Sequence, residues 1–233
     1  MAIALLGAGP AVAGGRWSGF LAGTTDYVYR GVSQTQNQAA LQGDVHYETA
    51  LSTVVGMWAS TVQPTSDTET VELDAYLGQS WLLADDLLLS LSAVHYAYLD
   101  STKWGPKDYD EILASFGYRG LVFATVAWSP NTWRYSIPND PSRHSAASYE
   151  VAAHLPIARD WYLSAGAGYY DLGQFVDPSY WYWNAGIGYG LRHYQVDLSY
   201  FGNDATARPP VYGNAQHASW ALTLTWHFLG DRH

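Results

Sequence analysis

From about residue 16 to residue 228 the chain alternates polar and apolar residues with a period of two. The last segment is the cleanest instance. Ala218, Trp220, Leu222, Leu224, Trp226 and Phe228 share one parity, while Ser219, Ala221, Thr223, Thr225 and His227 share the other. Side chains of a strand point to opposite faces in turn, so each such segment folds with one apolar and one polar face. The pattern recurs at 16–30, 39–50, 53–63, 69–82, 86–99, 109–119, 121–129, 145–156, 159–171, 179–191, 193–202 and 216–228. These twelve segments reach the roughly 9–11 residues with which a tilted strand crosses a bilayer. No helical period of useful length occurs. The Gly-rich runs 165–170 and 185–190 keep the two-residue alternation and read as strands with close-packed positions.

The links between segments also alternate, in length. Short ones fall at 50–53, 83–86, 119–121, 156–159 and 191–193. Long ones fall at 31–38, 64–68, 100–108, 130–144, 172–178 and 203–215, and are rich in Pro, Asn, Asp, Ser and Gly. That alternation predicts twelve antiparallel strands with both termini on the short-turn side. Outer-membrane barrels place short turns in the periplasm and long loops outside, so the orientation follows. The expected fold class is all-β, a closed antiparallel transmembrane β-barrel of 12 strands.

Composition narrows the field. No run of 18 apolar residues occurs, which excludes an ordinary transmembrane helix. A membrane protein without such helices must close its sheet, because lipid satisfies no backbone polar group. The net charge of -10 and the two lysines, Lys103 and Lys107, argue against a nucleic-acid partner. Cys 0 removes disulfides and thiolate metal sites. Residues 1–13 are small and apolar, and Ala11-Val12-Ala13 resembles a cleavage site, so they read as a partial signal peptide ahead of a single barrel domain at 14–233. An apolar tail is the alternative.

Aromatic residues of the apolar parity fall at strand ends. Tyr27, Tyr29, Tyr109, Trp181, Trp183, Tyr200 and Trp220 lie near the long-loop ends. Tyr47, Trp81, Trp161, Tyr194, Trp226 and Phe228 lie near the short turns. Two girdles at the lipid headgroups are the expectation. A soluble barrel or sandwich with buried aromatics would also alternate, but would not explain the asymmetry of the links.

Thr25-Asp26-Tyr27-Val28-Tyr29-Arg30-Gly31-Val32-Ser33-Gln34-Thr35, then Ala40-Leu41-Gln42-Gly43, then Trp58-Ala59-Ser60 resemble the TorF-type porin family of proteobacteria. The motifs cover the first quarter of the chain, and Tyr29 stands where that family more often carries Phe. The resemblance implies an outer-membrane β-barrel and brings no substrate with it.

The polar parity supplies the candidate lumen. Asp26 and Arg30 come first, then Asp44, His46 and Glu48, then Glu72, Asp74, Glu111, Glu150, His154, Arg192 and Asp197. Thr24, Gln42, Asn184 and His227 join them, and large side chains such as Tyr76, Tyr162, Tyr170 and Tyr182 also point inward. An excess of carboxylates favours cations in a water-filled pore. In a narrow barrel the same charges would pair across strands and plug it. Asp26 and Arg30 read either as a solute-orienting pair or as an ion-pair network fixing 31–38. Asp44, His46 and Glu48 are too extended along one strand to hold an ion by themselves, so no metal or other cofactor is expected.

Hydrolase, zincin, P-loop and dinucleotide motifs are absent, and His217 with Ser219 is no more than a surface pair, so no enzyme is expected. Lys103, Lys107, Arg134, Arg143 and Arg208 read as exposed loop charges. Two functions remain: a porin-like channel passing small, neutral or cationic solutes, and a non-conducting barrel whose loops bind a partner. Outer-membrane lipid is the one partner the sequence names.

Overall fold

A computed structural model describes residues 15–63, 70–99, 107–133, 142–173, 178–204 and 218–228. Twelve strands form a closed barrel. They are β1 (Arg16–Thr24), β4 (Ala40–Glu48), β5 (Thr53–Thr61), β6 (Val71–Ala84), β7 (Leu87–Leu99), β8 (Tyr109–Tyr118), β9 (Val122–Trp133), β10 (Arg143–Ala158), β11 (Trp161–Asp171), β12 (Tyr180–Leu191), β13 (Tyr194–Asn203) and β14 (Ala218–Phe228). Each pairs antiparallel with the next wall strand, and β14 closes on β1 through pairs such as Leu21↔Trp226 and Gly23↔Leu224. Closure leaves no edge strand for another chain to extend. Two further short strands, β2 (Val28–Tyr29) and β3 (Val32–Ser33), form a separate hairpin.

Tight turns close one end of the barrel and long links the other, with Arg16 and Phe228 both at the tight-turn end. The tight turns use the left-handed region, with φ 55 at Arg119, φ 65 at Gly120 and φ 51 at Arg192. Two-residue hairpin loops need positive φ to match the twist of their strands. Neighbouring turns are tied by Arg119, whose Nε donates to Asp86 Oδ2 at 3.0 Å.

The parity read from the sequence sorts the walls. The outward side chains are apolar and exposed along the mid-strands, as with Val45, Leu77, Ile112, Leu163, Leu198, Leu222 and Leu224. Outward aromatics flank this belt. Trp17, Trp81, Trp161, Tyr194 and Trp226 lie toward the tight turns, and Trp128, Tyr149, Trp181, Trp183 and Trp220 toward the long links. Phe228 packs against Trp226 at a ring separation of 5.5 Å. Soluble monomers rarely expose a contiguous apolar belt larger than a few hundred Å².

Several expectations are corrected. The first strand ends at Thr24, not at residue 30, and the following segment turns into the barrel. Tyr27 and Tyr29 therefore sit inside, with Tyr27 at 3% exposure, and neither belongs to an outward girdle. Tyr109, at 1% exposure, also faces inward and stacks on Tyr96 at 4.4 Å. Arg192 does not line the lumen, because it occupies the exposed turn between β12 and β13. Lys107 is fully buried rather than exposed. The link expected at 130–144 is shorter, because β9 continues to Trp133 and β10 begins at Arg143. Residues 1–13, Lys103, Arg134, Arg208 and His217 lie outside the described residues.

Candidate functional site: the internal hairpin and the cavity beneath it

The segment 25–35 is the part that leaves the wall. After Thr24 the chain enters the barrel, and Val28↔Ser33 and Tyr29↔Val32 pair around a two-residue turn at Arg30-Gly31. Both turn residues have positive φ, 46 and 76, the geometry of the tightest hairpins. A side chain on Gly31 would press on Tyr182 Cβ at 2.7 Å and Gly202 O at 3.0 Å, so glycine lets the tip touch the far wall. Asn203 Nδ2 donates to Gly31 O at 2.6 Å and holds it there.

Two polar anchors fix the hairpin. At its base the buried Asp26 carboxylate accepts from Ser33 Oγ at 2.6 Å, Thr35 Oγ1 at 3.0 Å and Ser219 Oγ at 2.8 Å. The first two close the hairpin on itself, and the third ties it to β14. At its tip Arg30 forms a two-pronged pair with Glu111, Nη1 to Oε1 at 2.8 Å and Nη2 to Oε2 at 3.0 Å. The rings of Tyr29 and Tyr170 cover the guanidinium at 4.7 and 4.4 Å. Glu111 also accepts from Tyr96 at 3.1 Å and Tyr29 at 3.4 Å. A guanidinium matches a carboxylate in two-pronged geometry, and a desolvated charge needs such pairing. Tyr27 packs edge-on against Trp58 at 5.4 Å and joins the hairpin to an aromatic core with Tyr76, Tyr96, Tyr98 and Tyr109.

That core changes the meaning of several inward residues. Glu72 and Asp74 point inward but are buried, at 1% and 3% exposure, so water does not reach them along a path. Asp74 Oδ1 has no hydrogen-bond partner among the described residues. Asp44 and His46 bond each other, Nδ1 to Oδ1 at 2.6 Å, and Glu48 takes Arg16 Nη2 at 2.7 Å. Two of the three residues on that strand thus pair with each other, and the third pairs with β1.

A second rule organises the opposite wall. Tyr182 lies across Gly168 on the adjacent strand, and its hydroxyl donates to Glu150 on the strand beyond at 3.0 Å. Tyr162 lies across Gly188 in the same way and donates to Asp197. A side chain at either glycine would collide with the ring. The Gly-rich runs are therefore shelves for tyrosines that reach carboxylates two strands away. Tyr76 repeats the device over Gly56 and donates to Asp44 at 2.6 Å. His154 stacks on Tyr162 at 4.0 Å.

Between the hairpin tip and this wall lies a cavity of about 130 Å³ that opens in part to solvent. Its lining includes Arg30, Gly31, Ser92, Ser115, Glu150, Tyr182 and Phe201. Ser90, Ser115, Thr125 and Glu150 follow one another across β7 to β10 in a single cross-strand row. Toward the long links the inward residues Ala127, Ser129, Thr132, Tyr170 and Tyr180 are buried. Toward the tight turns Thr125, Ser164, Asp197, Thr223 and Thr225 keep partial exposure. Among the described residues the lumen is packed at one end and more open at the other. The alternation could not foretell this, because a hairpin inside a barrel carries the same period as its wall.

Solved structures share this fold. The chain aligns with a NanC porin at a TM-score of 0.58 and 10% identity, covering 95% of this chain and 100% of that one. A membrane protein from work on in-meso crystallization aligns at 0.59 and 10% identity, over 94% and 85% of the two chains. A Pseudomonas putida toluene transporter, TodX, aligns more loosely at 0.45 and 10% identity, over 98% and 93%. No curated protein matches at the level of sequence. The model of a bacterial family of unknown function, Gcw_chp, matches residues 9–229, nearly the whole length, and the chain belongs to that family.

Proposed function

We propose that the protein is an outer-membrane channel that passes small solutes by diffusion and is held narrow by its internal hairpin. The observation that carries this reading is the solvent-open polar cavity beneath the hairpin, inside a barrel that resembles a porin. The exposed apolar belt and its flanking aromatics fit a hydrocarbon layer with headgroups on both sides. On this reading Trp81, Trp161 and Trp226 meet the periplasmic headgroups, and Trp181, Trp183 and Trp220 the outer ones. The long links then face outside. The resemblance of the hairpin segment to TorF-type porins points the same way.

Solutes of neutral or positive charge fit the lining best. Arg30 is committed to Glu111, while Glu150 and Asp197 stand where water reaches. A carboxylate-lined path focuses a negative potential on whatever enters. The second reading, a barrel that does not conduct, draws on the packed long-loop half. Planar-bilayer recording of the folded protein separates the two. Discrete current steps, with cations preferred under a salt gradient and less so at high salt, support the channel. Silence from both the wild type and a variant lacking residues 25–38 would leave the non-conducting barrel.

A further inference from the structure

We propose that the cavity beneath the hairpin is a binding site for a small hydroxylated primary amine, with Glu150 as the residue that takes the ammonium group. The proposal rests on the channel reading for its purpose, but the site can be tested without any conduction.

The three carboxylates held by tyrosines lying across glycines are not equivalent. Asp44 uses both oxygens, one for His46 and one for Tyr76. Asp197 also uses both, one for Tyr162 and one for Gln195. Glu150 accepts from Tyr182 through Oε2, and Oε1 has no hydrogen bond among the described residues. An ionised carboxylate offers about four acceptor positions on two oxygens, so Glu150 keeps much of its capacity for a ligand. Tyr182 fixes the position of the carboxyl group, and the Gly168 shelf fixes Tyr182. The acceptor is thus held in place before a ligand arrives.

The surroundings select the charge of that ligand. Arg30 is the cation lining the cavity, and Glu111 with two tyrosine rings already occupies its guanidinium. An anion could bind only by breaking that pair. A cation meets Glu150 and the aromatic side chains of Tyr182 and Phe201. Ser92, Ser115 and Ser148 line the same space and can donate to or accept from ligand hydroxyls.

Isothermal titration calorimetry on the folded barrel in detergent tests the site, with glucosamine as the amine and glucose and N-acetylglucosamine as neutral probes of similar size. Saturable binding of glucosamine at least tenfold tighter than either neutral sugar is expected. Glu150→Gln keeps an acceptor for Tyr182 and should lower the glucosamine affinity to the level of glucose. Equal affinities for all three sugars in the wild type would overturn the proposal, and that contrast needs no variant to fold. An unchanged glucosamine affinity in a folded Glu150→Gln barrel would overturn it too. A barrel that conducts ions but binds no glucosamine refutes the site and leaves the channel standing. Selective binding by a barrel that never conducts supports the site and refutes the channel.

Discussion

Arg30→Gln should release the hairpin. In the wild type the Arg30–Glu111 pair is desolvated on both sides, with side-chain exposures of 8% and 2%. Removing one partner of such a pair costs about 3–5 kcal/mol, because the other charge is left buried and uncompensated. Here Glu111 keeps the hydroxyls of Tyr96 and Tyr29, so the lower end applies, about 3 kcal/mol. The cost falls on the docked hairpin alone, since in the released state water reaches Glu111. Each 1.4 kcal/mol is a factor of ten, so the ratio of docked to released hairpin should fall by about 100-fold. Single-channel recording reads this as a rise in the fraction of time spent open. Glu111→Gln should act likewise, by stranding the guanidinium. The double variant Arg30→Gln, Glu111→Gln should open less than the sum of the two, because no charge is stranded. Folded single variants with wild-type open fractions, or strictly additive effects, would refute the latch.

Other sites give independent outcomes. Leu224→Arg, at an outward position exposed at 54%, should lower folding yield in lipid vesicles, at a cost of about 2–4 kcal/mol. Thr223→Arg faces inward beside Thr24 and should fold better than Leu224→Arg, and equal yields would contradict the assignment of faces. Asp26→Ala removes the acceptor shared by Ser33, Thr35 and Ser219, so backbone amides of residues 27–35 should exchange faster with deuterated solvent while those of β12 do not. Gly168→Ala should push Tyr182 off its shelf and, as overpacking does, destabilise by about 1–3 kcal/mol, measured as a lower midpoint in urea.

The wall of the barrel was legible in the chain because lipid and lumen impose opposite chemistry on alternate residues. Leu222, Thr223 and Leu224 carry that contrast without ambiguity, and the short and long links then count the strands. Residues 25–35 defeat the same reasoning. Tyr27 and Tyr29 alternate with Asp26 and Val28 as wall residues would, yet both faces of the hairpin are buried, so parity carries no information about what either face meets. A signal was present all the same: Val28-Tyr29 and Val32-Ser33 flank Arg30-Gly31 as a two-residue hairpin turn. Arg192 was misplaced for a related reason, since a residue in a tight turn belongs to neither parity. Glu72 and Asp74 do point inward, but pointing inward is not the same as lining a path, and the aromatic core between them and water has no local signature. The tyrosine shelves join residues on three strands, so no single segment announces them.

The most direct test of the account is a reversible lock on the hairpin. The chain has Cys 0, so an introduced pair has no competitor. A side chain on Gly31 would lie 3.2 Å from Asn203 Cβ, close to the about 3.5–4.5 Å of a disulfide, and 2.7 Å from Tyr182 Cβ, so the tip must shift slightly to admit it. With that shift Gly31→Cys, Asn203→Cys should bridge the tip to β13 under oxidation. The quantity to measure is current through one reconstituted barrel before and after a reductant is added. Suppressed current is expected while the bridge is closed, and open steps once it is cut. A current that ignores the bridge, in protein whose thiols are verified as oxidised, would contradict the claim that the hairpin stands in the path.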